Sequence, residues 1–283
     1  MKLDRYYGGC RPSPPAARGT RWPHEMLGMH ESATTPDAVD RSTFLPEVLD
    51  QGQQGSCTGH GCSEGIWAAL NAASPSPVER PSPEWCYYLG RVIDGNANED
   101  AGSSVSSVLE GAQQIGFVQN AQLPYRDSEL VPDLARLPAL ERLAYDQRIL
   151  KGTARITYTG SALVTSCRSA LAAGPLPIFG TDVDASFEDL PSDGVWPGCK
   201  GKSLGGHCMV LIGYVTVDGV AYSIPNTAGK VTAAQRTRFM GRNSWGKGWC
   251  NGGSFECDQD ALDGFWDVWI VETAPSWSGT VDA

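Results

Sequence analysis

The pattern of apolar residues changes character near the middle of the chain, and that change limits the fold more than any other feature. From Cys57 to about Leu150, apolar residues recur at helical spacing. Cys62, Ile66, Ala69 and Ala73 share one face of a first block, which stops at the Ser-Pro-Ser-Pro run beginning at Ser74. Ser82 then offers an N-cap with Pro83 at the first helical position, and Trp85, Leu89, Val92 and Ile93 follow on one side. Ser103 or Ser104 is placed to cap a third helix with the stripe Val105, Val108, Leu109, Ala112 and Ile115, ended by Gly116. A fourth helix is predicted over roughly Pro138 to Leu150. Beyond it, the runs ARITYT, LPIFG, CMVLIGYVTV, VAYSI, RFMGRN and WDVWIVE are rich in β-branched and aromatic residues and are separated by Gly, Asp and Pro. They read as an antiparallel sheet or barrel, interrupted by one short helix near Thr165 to Ala173. Helices first and strands second imply an α+β protein of two lobes, with a functional site expected in the cleft between them.

The proposed division is an extended N-terminal arm (1–36), a mainly helical lobe (37–150), a mainly β lobe (151–275) and a C-terminal tail (276–283). The arm is rich in Gly, Pro and Arg and has no helical or strand period. It reads either as a strap on the surface or as an autoinhibitory or removable segment. A net charge of −10 argues against nucleic acid and anionic membranes as partners. The opening MKLDRYYGGC has charges where a signal peptide needs an apolar run, and no apolar stretch is long enough to span a bilayer. Cytoplasmic synthesis without a Sec signal is therefore expected, with a virion or a signal-less delivery route as further destinations. Nine cysteines is an odd count, and without an export signal free thiols are the default.

Cys57 sits between a glycine-rich turn and a predicted helix start, where unpaired backbone N–H groups favour an anion and should lower a thiol pKa. On this stretch alone, a buried packing cysteine is the stronger reading. Two further motifs change that balance. In LGGHCMVLIGY, His207 stands at the head of a strongly apolar strand, where a core strand has little use for it. In GRNSWGKGWCNGG, Asn243 opens the next strongly marked segment. A cysteine nucleophile needs an imidazole to take its proton, and the imidazole needs a third group to fix its tautomer and orientation. His60, three residues after Cys57, reads as a solvated or cleft-rim residue, and a zinc site from Cys57, His60 and Cys62 lacks a second ligand pair. The acidic stretch Asp182 to Asp193 reads as a solvated face.

Together these segments resemble the papain-like (C1) cysteine peptidases of the bacterial and phage type, which lack a long propeptide. The resemblance covers roughly Pro36 to Glu272. It implies a papain-like two-lobe fold, a helical lobe plus an antiparallel β-barrel-like lobe. It also implies Cys57 as nucleophile, His207 as base, Asn243 as the orienting group and Gln51, six positions before Cys57, as an oxyanion donor. Substrate contacts are implied at Gly206, Trp245, Gly102 and Ser103, with Trp245 shielding the His207–Asn243 hydrogen bond. The implied partner is a polypeptide substrate, and no metal or organic cofactor is required. Thr58 replaces the family's common aromatic residue, Gln54 stands at a common disulfide position, and an extended hairpin is expected at about Thr216 to Arg238. Two other readings share this fold: a structural or binding component of a phage particle or secretion assembly, and an acyl transferase that passes the acyl group to an amine.

Overall fold

The computed structural model describes residues 8–21, 35–128, 130, 132, 135–217 and 236–273. The VAYSI run, most of the expected hairpin between Thr216 and Arg238, and the tail from residue 276 lie outside the described residues.

Helix α1 (Cys57–Ala73) is the spine of the molecule. It is buried continuously from Cys57 to Leu70, so its polar residues are inside along with its apolar ones. It packs on helix α2 (Pro83–Asp94) on one side and on strands β5 (Gly205–Val217) and β8 (Phe265–Thr273) on the other. Gly59 and Gly61 weaken the helix intrinsically, but both are contact points. A Cβ on Gly59 would lie 2.6 Å from the Pro83 carbonyl oxygen, and one on Gly61 would lie 2.7 Å from the Cys208 sulfur.

Helix α2 begins as its sequence dictates: the Ser82 hydroxyl accepts from the Trp85 N–H at 3.1 Å, and Pro83 occupies the first turn. Gly95, at φ 78°, closes it in the left-handed conformation. Of the two serines able to cap helix α3 (Val105–Gln114), Ser104 does so, accepting from the Ser107 N–H at 3.1 Å. Helix α4 (Leu137–Asp146) ends earlier than its apolar spacing suggests, because Leu150 already belongs to strand β2 (Leu150–Arg155). The predicted short helix is longer than expected: α5 runs from Gly160 to Ala173 and stops at Gly174. A single-turn helix, α6 (Ala185–Glu188), has no clear sequence signal beyond Asp184, whose side chain caps it.

The sheet has eight strands among the described residues, in the order β2-β8-β3-β5-β6-β7-β4, with β1 (Ala38–Asp40) paired to β5. Strands β3 (Ile178–Val183), β6 (Arg236–Arg242) and β7 (Ser254–Asp258) pair antiparallel with their neighbours, whereas β4 (Val195–Trp196) joins β7 in parallel. Of the two forms expected, a sheet or a barrel, the described residues make an open, mostly antiparallel sheet whose pairing runs from β2 to β4. One edge of β5 is shared in turn, β3 pairing with Gly205 to Val210 and β1 with Gly213 to Val215. This long central strand holds His207 near its start, beside α1.

Glu64 is an unusual core residue. It sits on α1 with 1% exposure, and its Oε1 atom has no hydrogen-bond partner among the described residues. Burial raises its pKa from 4.5 to about 8, with Arg242 and Arg80 pulling the other way. The carboxyl is thus neutral in the fold where the unfolded chain would be ionised. The associated stability is present below pH 4.5 and is lost as pH rises through about 8. The slope is roughly 1.4 kcal/mol per pH unit for one such proton. Glu64→Gln should therefore raise the thermal midpoint increasingly between pH 5 and pH 8 relative to the unmodified chain. Parallel midpoint-versus-pH curves for the two proteins would rule this account out.

Candidate active site

Two elements deliver the imidazole and its partner. His207 is carried by β5, and Asn243 follows directly after β6, the strand paired with β5. The His207 Nε2 atom lies 2.8 Å from Asn243 Oδ1, in a buried hydrogen bond. The same Oδ1 accepts the Ser244 N–H at 2.8 Å, which fixes the amide so that its oxygen faces the ring. Trp245 covers this pair, with ring centroids 4.8 Å from His207 and planes at 33°. Behind Trp245 lie Phe187 of α6 and Trp249, at centroid distances of 5.4 and 5.3 Å. This aromatic wall removes the His207–Asn243 bond from water, which strengthens it.

Cys57 is the first residue of α1 and is fully buried. Backbone N–H groups of Cys208, the residue after His207, of Thr58 and of Cys57 itself are near enough to favour its thiolate. The helix start is not capped by a side chain, since the Ser56 hydroxyl is engaged 2.7 Å from the Tyr125 hydroxyl. The first-turn N–H groups are therefore directed at the site. Even so, the expected depression of the thiol pKa is absent in this arrangement. Burial pushes the Cys57 thiol up, and the neighbouring Cys208 thiol adds to the rise, against the smaller pull of the backbone N–H groups.

Gln51 is positioned from both sides. Its Oε1 accepts from the Ser244 hydroxyl at 2.7 Å, and its Nε2 donates to the Gln54 carbonyl at 3.0 Å. Its backbone N–H donates to the Ser244 carbonyl at 2.9 Å. Ser244 thus links Asn243 to Gln51, a role that sequence reading missed although the residue lies inside the Asn-Ser-Trp phrase. Tyr125 is a second missed contributor: its hydroxyl donates to the Gln51 carbonyl at 2.8 Å.

His60 is a correction. It is not at a solvated rim but 1% exposed, with Nδ1 3.0 Å from the Ser56 carbonyl and its ring edge-on to Tyr125 at 4.4 Å. Burial lowers its pKa from 6.5 to about 4, because α1 is inside along its first turns. Asp184 likewise departs from the solvated face expected of its stretch. It is buried and accepts from the Ser186, Lys200 and Gly201 N–H groups, tying the loop before β5 to α6.

Gly102, Ser103 and Gly206 are all in contact with the N-terminal arm. The Ser103 N–H donates to the Gly9 carbonyl at 2.9 Å, and the Arg11 N–H donates to the Ser103 carbonyl at 2.8 Å. The Cys10 N–H donates to the Gly206 carbonyl at 3.2 Å. A Cβ on Gly9 would collide with the backbone of Gly55, and one on Gly102 would lie 2.5 Å from the Gly9 carbonyl oxygen. Farther along, the Ser13 N–H donates to Asp267 Oδ2 at 3.2 Å, and its hydroxyl donates to the same carboxylate while accepting from the Ser106 N–H at 3.1 Å. The arm is therefore stitched to helices and sheet alike, across the seam where Cys57 and His207 lie.

No family model matches the chain. An uncharacterized peptidase C1-like protein of Acanthamoeba polyphaga mimivirus is 24% identical over 244 residues, which is 79% of this chain and 71% of that protein. Xylellain, a cysteine protease from Xylella fastidiosa, superposes with a TM-score of 0.70 at 23% identity, covering 95% of this chain and 98% of that one. Digestive procathepsin L2 proteinase from the Tenebrio molitor larval midgut gives 0.69 at 19% identity, over 96% and 80% of the two chains. The chain has the papain-like α+β fold, the fold of the C1 cysteine proteases.

Proposed function

We propose that the protein is a cysteine peptidase that cleaves peptide or isopeptide bonds through Cys57, His207 and Asn243. The observation that supports this most directly is the buried 2.8 Å contact of His207 Nε2 with Asn243 Oδ1, beside a cysteine at an uncapped helix start. A hydrogen bond at Nε2 leaves Nδ1 as the ring nitrogen able to take the Cys57 proton. The resulting thiolate lies at the α1 N-terminus, which stabilises negative charge.

The thiolate attacks the carbonyl carbon of the scissile bond, and the carbonyl π electrons move to oxygen. The oxyanion is stabilised by the Cys57 backbone N–H and by the second hydrogen of Gln51 Nε2, whose other hydrogen is committed to the Gln54 carbonyl. As the tetrahedral intermediate collapses, the C–N bond breaks, His207 protonates the leaving amine, and a thioester to Cys57 remains. Water, deprotonated by His207, attacks the thioester, and the thiol regains its proton as the acid leaves. Asn243 holds the ring throughout, and Trp245 keeps water from their hydrogen bond. The polypeptide enters where Gly9 to Arg11 now contact Gly55, Gly102, Ser103 and Gly206, so catalysis begins with displacement of that part of the arm.

The first test is to treat the reduced protein with a thiol-directed epoxide inhibitor and map the adduct by mass spectrometry. A single adduct on Cys57, absent from Cys57→Ala, is expected together with peptidase activity that the inhibitor abolishes. An unlabelled Cys57 in protein whose arm has been displaced would sink the proposal. Gln51→Ala should lower kcat/KM by about 10²- to 10³-fold, the usual loss for one oxyanion donor. Gly9→Val, which cannot fit against Gly55, should unseat the arm and speed Cys57 labelling about tenfold or more, equivalent to about 1.4 kcal/mol in the seating equilibrium. Unchanged labelling would show that the arm does not govern access.

A further inference from the structure

None of the nine cysteines is disulfide-bonded, yet three of them, from three separate parts of the chain, meet at the site. Cys57 opens α1, Cys208 is on β5, and Cys10 is on the arm. All three are buried, with exposures of 0%, 1% and 3%. The Cys10 N–H is hydrogen-bonded to Gly206, two residues before Cys208 on the same strand, and the Cys208 thiol is near enough to those of Cys10 and Cys57 to interact with each electrostatically. The catalytic reading uses only Cys57, which leaves the other pair to be explained.

We propose that Cys10 and Cys208 are a redox-sensitive pair whose disulfide fastens the arm across the site. The backbone geometry brings them together. The Cys10 N–H is anchored on the Gly206 carbonyl at 3.2 Å, and the neighbouring arm residues are anchored on Ser103. Residues 206 and 208 of β5 point to the same side of the strand, because side chains alternate. Gly206 leaves room for the arm, since a Cβ there would collide with the Cys10 carbonyl. The next residue on that side is Cys208. Its sulfur packs against Gly61 of α1, in space that a Cβ there would fill at 2.7 Å, so the missing side chain at Gly61 leaves room for the thiol beside the arm.

The chemistry needs a two-electron oxidant, and a low-molecular-weight disulfide suffices. When the arm lifts, the Cys10 thiol loses its proton to water and its sulfur attacks the small disulfide. The S–S bond breaks, one small thiolate leaves and is protonated, and a mixed disulfide remains on Cys10. When the arm reseats, the Cys208 thiol loses its proton and attacks the Cys10 sulfur, displacing the second small thiol. The sum is two protein thiols oxidised to one disulfide and one small disulfide reduced to two thiols. While seated, Cys10 is inert, because burial pushes its thiol up and the adjacent Cys208 adds to the effect. Oxidation is therefore gated by arm opening, and any dithiol reductant reverses it. The bridge would close a very long loop, and disulfides of that kind restrict the unfolded chain most.

The consequence for catalysis rests on the peptidase reading, whereas the disulfide itself does not. The test equilibrates the full chain with oxidised glutathione, removes the excess, alkylates remaining thiols under denaturing conditions and maps disulfides by mass spectrometry without reduction. A Cys10–Cys208 crosslink with Cys57 recovered alkylated is expected. A parallel sample should show Cys57 epoxide labelling at least tenfold slower after oxidation and restored by dithiothreitol. Thermal unfolding adds a reading independent of Cys57: oxidation should raise the midpoint of the unmodified chain and leave that of Cys10→Ser unchanged. Recovery of Cys10 and Cys208 as thiols, or of Cys10 bridged to Cys57, would overturn the pairing. A crosslink that leaves Cys57 labelling unaffected would overturn its role as a fastening. Labelling of Cys57 in the reduced protein reports on the peptidase reading separately, so the two can fail independently.

Discussion

The insertion of α1 between α2 and the sheet determines most of what is found at the site. A helix buried along that much of its length has to meet its neighbours without gaps, and glycine or small residues at its contact points make this possible. The same burial carries Cys57 to zero exposure and draws His60 and Glu64 inside, with their pKa values displaced in opposite directions by one cause. The start of α1 then meets the start of β5. Because β5 pairs with β6, the residue following β6 is brought beside the residue near the head of β5, which is how Asn243 reaches His207.

Much of the scaffold was legible in the residues. Ser82 and Pro83 announce a helix start, the Ser-Pro-Ser-Pro run stops α1, and the apolar run from Cys208 can hardly be anything but a central strand. The elements missed are short ones whose stability comes from neighbours: β1 and β4 are too brief for a period of two to register, and α6 is one turn capped by Asp184. The end of α4 was misplaced because Ile149 and Leu150 continue its apolar spacing, and only pairing with β8 assigns Leu150 to a strand.

The proposed site was legible in a different sense. Cys57, His207 and Asn243 stand out because each breaks the local pattern, a thiol among glycines, an imidazole on an apolar strand, an amide before an aromatic. Their surroundings were not legible. Ser244 and Tyr125 position Gln51 through hydrogen bonds that span long stretches of chain. The pKa of Cys57 is the clearest case. Helix position alone argues for a depressed value, but burial at the packed start of α1 outweighs it, and no reading of the local sequence includes the distant segments packed around that helix start.

The arm is joined to the protein it covers. Under the proposed displacement of the arm, seating and lifting form a unimolecular equilibrium, which dilution leaves untouched. A peptide substrate of the proposed activity would compete with a tethered rival whose local concentration is on the order of millimolar for short tethers, whatever the amount of protein present. Changes in the arm would then act as changes in apparent affinity, altering KM before kcat, and any segment that binds the arm elsewhere would act as an activator without touching the reacting groups.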